Sequence, residues 1–214
     1  MNIDTIICGP LQVNSYVLYQ EGGDTAIVID AAQAQPIYTH LQQKGLSCSH
    51  ILLTHGHFDH IFGVAELQEM TGAKICIHAQ DADMLHDDEK SLSVLEALHV
   101  PPSHADLLLQ DGDVLTAAGM TIRVLHTPGH TPGGVCYIFE DDRVIFTGDT
   151  IFRLGAGRAD FPGADEIALY RSIMNKLFEL PGDYTLYPGH MRTTTLAFER
   201  ERNTFIRHYR GHGW

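Results

Sequence analysis

Apolar positions along the chain fall into two batches of short strand-like runs, each followed by stretches with helical spacing. Residues 14–20 (NSYVLYQ) alternate apolar and polar, and residues 25–30 (TAIVID) form a short apolar run ending in Asp30. Gly22-Gly23 lies between them as a hairpin turn. Residues 34–44 read as a helix with Ile37, His40 and Leu41 on one face, stopped by Gly45. Residues 49–54 (SHILLT) read as a buried strand that runs directly into THGHFDH. A helix over 61–71, a strand over 74–78 (KICIH) and a helical or irregular stretch over 79–100 complete the first batch.

The second batch repeats these habits. VLTAAG, MTIRVLHT, GVCYIF and RVIFTGD read as successive strands joined by turns bearing Gly or Asp. A helix fits residues 164–179, with Ile167, Tyr170, Ile173, Met174, Leu177 and Phe178 at core spacing. TLYPGH, residues 185–190, is a last strand, and residues 195–203 make a charged closing helix. Two sheets packed face to face with helices outside would bury both batches. No linker or shift in composition divides the chain, so residues 1–214 read as one domain.

Composition changes this picture in four ways. A formal net charge of −13 argues against a general nucleic-acid binder, because phosphate recognition needs a basic surface. No apolar run reaches membrane-spanning length and no basic-then-apolar leader opens the sequence, so a cytoplasmic protein without a membrane partner is expected. Cys8, Cys48, Cys76 and Cys136 are widely separated, with no Cys-x-x-Cys pair, and read as small packing residues rather than a disulfide framework. The anomaly is 14 histidines, more than packing requires.

Their spacing points to metal. THGHFDH places His55, His57, Asp59 and His60 within six positions. On extended backbone, residues two apart point the same way, so His55 and His57 can grip one ion, while Asp59 and His60 face a neighbouring one after the chain turns. In HTPGHTPGG, Pro-Gly corners on both sides fix His130, whereas His126 at the strand end reads as structural. Asp149 follows the apolar run VIF, and a carboxylate there needs a partner. YPGH repeats the design with His190.

The ordered set THGHFDH, GHTPGG, TGD and PGH resembles the metallo-β-lactamase superfamily over nearly the whole chain. GPLQVNSY and GRADFPGAD look like its small, single-domain hydroxyacylglutathione hydrolase-like (glyoxalase II-like) branch. The resemblance implies an α/β fold, a four-layer αβ/βα sandwich of two mixed sheets with outer helices. It implies one metal on His55, His57 and His130, a second on Asp59, His60 and His190, and Asp149 bridging both. Zinc is the expected pair of ions, and iron and manganese suit the same donors. Two such metals sharing a water lower its pKa toward ~7. Asp59 is the expected residue for orienting that nucleophile, and the implied substrate is a small-molecule thioester such as S-D-lactoylglutathione.

Two departures bear on the substrate. Full-length glyoxalase II proteins carry a helical C-terminal domain whose basic residues help bind glutathione, and only 24 residues follow His190 here. Met191-Arg192 also stands where the family usually has Glu after PGH. Anion binding would then fall to Arg158 or Arg192, although both also fit a surface role. The competing readings on the same fold are a mononuclear-iron persulfide dioxygenase, using His55 or His57 with His130 and Asp149, and a lactonase or other ester hydrolase. A purely structural metal module is less compatible with seven His/Asp ligands and no cysteine. The sequence leaves the oligomeric state open; Trp214 and the stretch 205–209 could cover the core or meet a second subunit.

Overall fold

A computed structural model describes residues 1–211. The first batch of strands forms a six-stranded sheet in sequential order: β1 (Asn2–Cys8), β2 (Val13–Tyr19), β3 (Thr25–Ile29), β4 (Ser47–Leu52), β5 (Lys74–His78) and β6 (Leu107–Leu109). β1 to β3 are antiparallel; β3 to β6 are parallel. The second batch supplies β7 (Val114–Ala117), β8 (Met120–His126), β9 (Val135–Phe139) and β10 (Val144–Gly148). After the small hairpin of β11 (Ile151–Phe152) and β12 (Gly155–Ala156) come β13 (Thr185–Pro188) and β14 (Thr194–Thr195), giving a second sheet in the order β14-β13-β10-β9-β8-β7.

Alternation along the strands sorts their side chains into three buried layers. Tyr16, Leu18, Ile27 and Ile29 meet Val124, Tyr137, Phe139 and Phe146 between the two sheets. Their neighbours Val17, Val28, Ile51 and Ile75 face outward, beneath Ile37 and Leu41 of α1 (Ala34–Lys44). Residues Phe58–Ile61 form the single turn α2, and α3 (Val64–Thr71) adds Val64 and Leu67 to that layer. On the far side, Cys136, Ile138, Ile145 and Leu186 pack under Leu169 of α4 (Glu166–Ser172). α5 (Leu196–Arg202) contributes Leu196 to the same layer, and α6 (Thr204–Gly211) contributes Ile206. Helix, sheet, sheet and helix thus make the four-layer sandwich. With both faces covered, the central strands read as nearly continuous apolar runs.

Three details differ from the sequence expectation. The helix expected over 61–71 starts at Val64, because the chain first closes the α2 turn and then anchors Gly63 N–H on the Ala31 carbonyl at 2.8 Å. The helix expected over 164–179 is α4 followed by a wider π-helical turn, Ile173–Leu177; Ile167 lies on its exposed side, while Leu169 takes the buried position. β6, with Leu107 and Leu108 exposed at the sheet edge, had no period to betray it. Trp214 lies outside the described residues.

This topology sets where a ligand site can form. β8, β10 and β13 run the same way in one sheet, as β3, β4 and β5 do in the other. Loops leaving the carboxyl ends of parallel strands share one edge, the place where open α/β sheets hold ligands.

Candidate metal centre

Four strand ends deliver the chemistry. The segment after β4 carries His55 and His57 and enters α2 with Asp59 and His60; the loops after β8, β10 and β13 carry His130, Asp149 and His190. Ligand-capable atoms of His55, His57 and His130 all lie within 4.8 Å of one another, as do those of Asp59, His60 and His190. A third such group, His55, His60 and Asp149, joins the two. Asp149 spans them: its Oδ2 is 3.6 Å from His130 Nε2 and 3.7 Å from His190 Nε2, while Oδ1 is 3.4 Å from His60 Nε2. The structure therefore brings together all seven residues singled out as ligands.

Hydrogen bonds behind the imidazoles fix which nitrogen faces inward. His130 Nδ1–H donates to the Arg158 carbonyl at 2.6 Å, and His60 Nδ1–H donates to Asp30 Oδ2 at 2.8 Å. Thr54 Oγ1–H and N–H both donate to the Asp30 carboxylate at 2.8 Å, so the Thr54 oxygen is left to accept from His55 Nδ1–H at 3.1 Å. His55 and His130 thus each present an Nε2 lone pair to the interior, and His60 turns the same nitrogen inward, the orientation that ligation requires. Two of those atoms, His55 Nε2 and His60 Nε2, are buried with no hydrogen-bond partner, and so is Asp149 Oδ1. Leaving such atoms unmatched costs about 1–3 kcal/mol each. Their convergence fits a bound cation, for which these atoms are donors.

Charge distribution agrees. Burial drives the His55 imidazole well below its usual range, and burial with the neighbouring His130 takes His57 down to about 3, so both are neutral. Burial opposes ionisation of Asp149, but His60, His130 and His190 outweigh it and hold the carboxyl below the usual range; His60 and His190 likewise keep Asp59 low. For His60 burial is overcome by Asp59, Asp30 and Asp149, which raise it well above the ordinary value. Neutral imidazoles beside ionised carboxylates are the forms that bind metal, and a cation would replace the proton on His60.

The scaffold allows little movement. Gly129 adopts φ +139, and a Cβ there would sit 2.2 Å from the Leu169 backbone nitrogen, so the His130 loop lies directly on α4. A Cβ at Gly189 would meet Asp149 Oδ1 at 2.4 Å and His60 Cε1 at 2.6 Å. The β13 end is pinned by Asn14, whose Nδ2 donates to the Pro188 and Met191 carbonyls at 3.0 and 2.8 Å, and by Tyr16 Oη–H to Pro188 at 2.6 Å.

Two carboxylates went unrecognised as part of the site in the sequence. Asp30 orients both His55, through Thr54, and His60; the strand-final Asp was visible, its partners were not. Asp81 is fully buried and accepts from Gly56 N–H at 3.1 Å, Thr131 Oγ1–H at 2.6 Å and Gly133 N–H at 2.6 Å. It thereby joins the loop of His55 and His57 to that of His130, and nothing in AQDADM announces this.

The centre opens into a cavity of about 660 Å³, whose wall includes His57, Asp59, His130, Asp149 and His190. Arg158 also lines it, but its Nε and Nη2 both donate to the Asp160 carboxylate at 2.9 Å, and its guanidinium lies 4.1 Å over the Phe161 ring. Arg192 is exposed and does not line the wall. His126 stands apart, donating Nε2–H to the Pro132 carbonyl at 2.8 Å and stacking on His78 with centroids 4.0 Å apart.

Known proteins share this architecture. A hydroxyacylglutathione hydrolase, GloC, of Haemophilus influenzae is 31% identical over 210 residues, covering 96% of this chain and 98% of its own. The crystal structure of the B3 metallo-beta-lactamase BLEG-1 is 35% identical with a TM-score of 0.91, covering 96% of this chain and 99% of that one. TTHA1623, solved in a di-iron-bound form, is 34% identical with a TM-score of 0.84, covering 94% and 99%. Residues 8–190 match the family described as the metallo-beta-lactamase superfamily, and the chain belongs to it.

Proposed function

We propose that this chain is a dinuclear metallo-hydrolase that cleaves thioesters. The observation that carries the reading is the pair of three-residue donor groups with Asp149 between them, three buried atoms unmatched and one side open to the cavity. His55, His57 and His130 would hold one ion, Asp59, His60 and His190 the other, and Asp149 would face both. Bound there, two divalent metals would supply a low-pKa water at neutral pH and polarise the scissile carbonyl.

The remaining work falls to the chain. Asp59 lines the cavity with its Oδ2 3.3 Å from His190 Nε2, placed to accept a hydrogen bond from the attacking water and hold it toward the carbonyl. Phe58 and Leu92, both buried, line the same cavity and would help shield the reacting carbon from bulk solvent. A cysteine nucleophile does not suit this site. All four thiols are buried and none lines the cavity; burial pushes Cys48 and Cys76 to about 12 and Cys136 to about 11. The hydroxyacylglutathione hydrolase relative supports a thioester, and the di-iron relative supports two metals, with iron as well as zinc compatible with the donors.

The test is metal content of freshly purified protein together with turnover of S-D-lactoylglutathione, followed by loss of the thioester. Near two metals per chain, with turnover abolished in His57→Ala and Asp149→Ala, is the expected result. One iron per chain, an intact thioester and oxygen uptake with glutathione persulfide would overturn it in favour of the dioxygenase.

A further inference from the structure

The walls of the cavity beyond the metal donors carry a second kind of information. Leu11, Leu92, Leu95, Phe152, Phe161 and Met191 line it, and three of these stand at its mouth with much of their surface in water: Leu11 at 48%, Leu95 at 62% and Met191 at 68%. Large apolar side chains gathered at the rim of a site, rather than scattered, mark the surface that a ligand covers. The charged residues of the described wall outside the donor set are Glu96 and Arg158. Arg158 already spends its Nε and Nη2 on Asp160, and Glu96 is a carboxylate. A glutathione conjugate brings two carboxylates and an ammonium to this wall. Its ammonium has Glu96 to meet, but its two carboxylates would find only Arg158, already paired with Asp160, and it would leave Leu11, Leu95 and Met191 unmatched.

We propose that the site selects thioesters whose groups flanking the scissile carbonyl are apolar and uncharged, a medium-chain acyl group foremost, over glutathione conjugates. This rests on the thioesterase reading and specifies its substrate class. The reaction balances without a further reactant: water adds to the carbonyl carbon, the C–S bond breaks, and carboxylate, thiol and one proton leave. The chain itself makes no bond. The acyl group lies along Leu92, Phe161 and Leu95 toward the mouth, and each methylene taken out of water there strengthens binding of the transition state as well as of the substrate.

The test uses the metal-loaded protein and a series of N-acetylcysteamine thioesters, from acetyl through butyryl and hexanoyl to octanoyl, read by release of free thiol. Each added methylene should raise kcat/KM roughly fourfold until the cavity is filled. Replacing N-acetylcysteamine by glutathione at a fixed acyl group should bring no gain. Leu95→Ser and Phe161→Ser should flatten the chain-length dependence. A flat or falling series, or a more than tenfold preference for the glutathione conjugates, would overturn the apolar selection while leaving thioester hydrolysis standing. Failure to cleave any thioester, S-D-lactoylglutathione included, would sink the thioesterase reading and this inference with it.

Discussion

Asp81 offers the sharpest test of how the metal loops are held. Its buried carboxylate is the shared acceptor for Gly56 N–H, Thr131 Oγ1–H and Gly133 N–H, at 3.1, 2.6 and 2.6 Å. In Asp81→Ala these three donors lose their acceptor, and a buried unmatched donor costs about 1–3 kcal/mol. The sum is not additive: the alanine variant no longer desolvates a carboxylate, and a water can enter the space. A net loss of about 3 kcal/mol follows, a large fraction of the 5–15 kcal/mol typical of a domain. Asp81→Asn keeps one oxygen, placed to serve Gly56 and Thr131, but turns an amide toward Gly133 N–H, so about 1–2 kcal/mol is expected. Urea denaturation in the presence of a chelator isolates this effect from metal binding. Competition with a chromophoric chelator then reads the second consequence, metal affinity lowered about 10–100-fold in Asp81→Ala because His55, His57 and His130 lose their common anchor. An Asp81→Ala protein within about 0.5 kcal/mol of wild type, with unchanged affinity, would refute the reasoning.

Two further outcomes follow from the same geometry. Gly189→Ala puts a methyl group 2.4 Å from Asp149 Oδ1, so metal content measured by elemental analysis should fall and stability should drop by about 1–3 kcal/mol; full occupancy would mean the loop yields freely. His78 has its pKa lowered to about 4, first by burial and then by the stacked His126. Between the ordinary 6.5 and about 4 the unfolded chain therefore holds a proton that the folded chain does not, so this residue makes stability fall as pH falls through that window. His78→Asn, which keeps an acceptor for Gln80 N–H, should flatten the fall seen in urea midpoints against pH, and an identical slope would contradict the assignment.

The parts of the structure legible in the sequence are those whose cause is local. His55, His57, Asp59 and His60 stand in one hexapeptide, and Pro-Gly corners mark His130 and His190, so spacing alone exposes them. The apolar runs of β3, β9 and β10 follow from their burial, whereas β2, read as alternating, is buried at six of its seven positions; the two batches of strands became the two sheets. Asp81 was illegible because its three partners lie 25 to 52 positions away. The break in the 164–179 helix comes from a widened turn, Ile173–Leu177, and an apolar period continues straight through such a turn. Arg158, singled out by residue type, does line the cavity, but its pairing with Asp160 through two 2.9 Å bonds depends on a neighbour whose role the residue type alone does not reveal.

Each three-residue donor group draws two members from the segment after β4 and one from a loop of the opposite sheet: His55 and His57 with His130, Asp59 and His60 with His190. Neither sheet can complete a group alone. A cation held there is therefore a clasp across the sandwich, and sliding or parting the sheets means giving up ligands. Free metal at a hundred times its dissociation constant would add about 2.7 kcal/mol to the resistance against opening. For this chain, scarcity of metal would weaken the very seam along which the two halves of the molecule are joined.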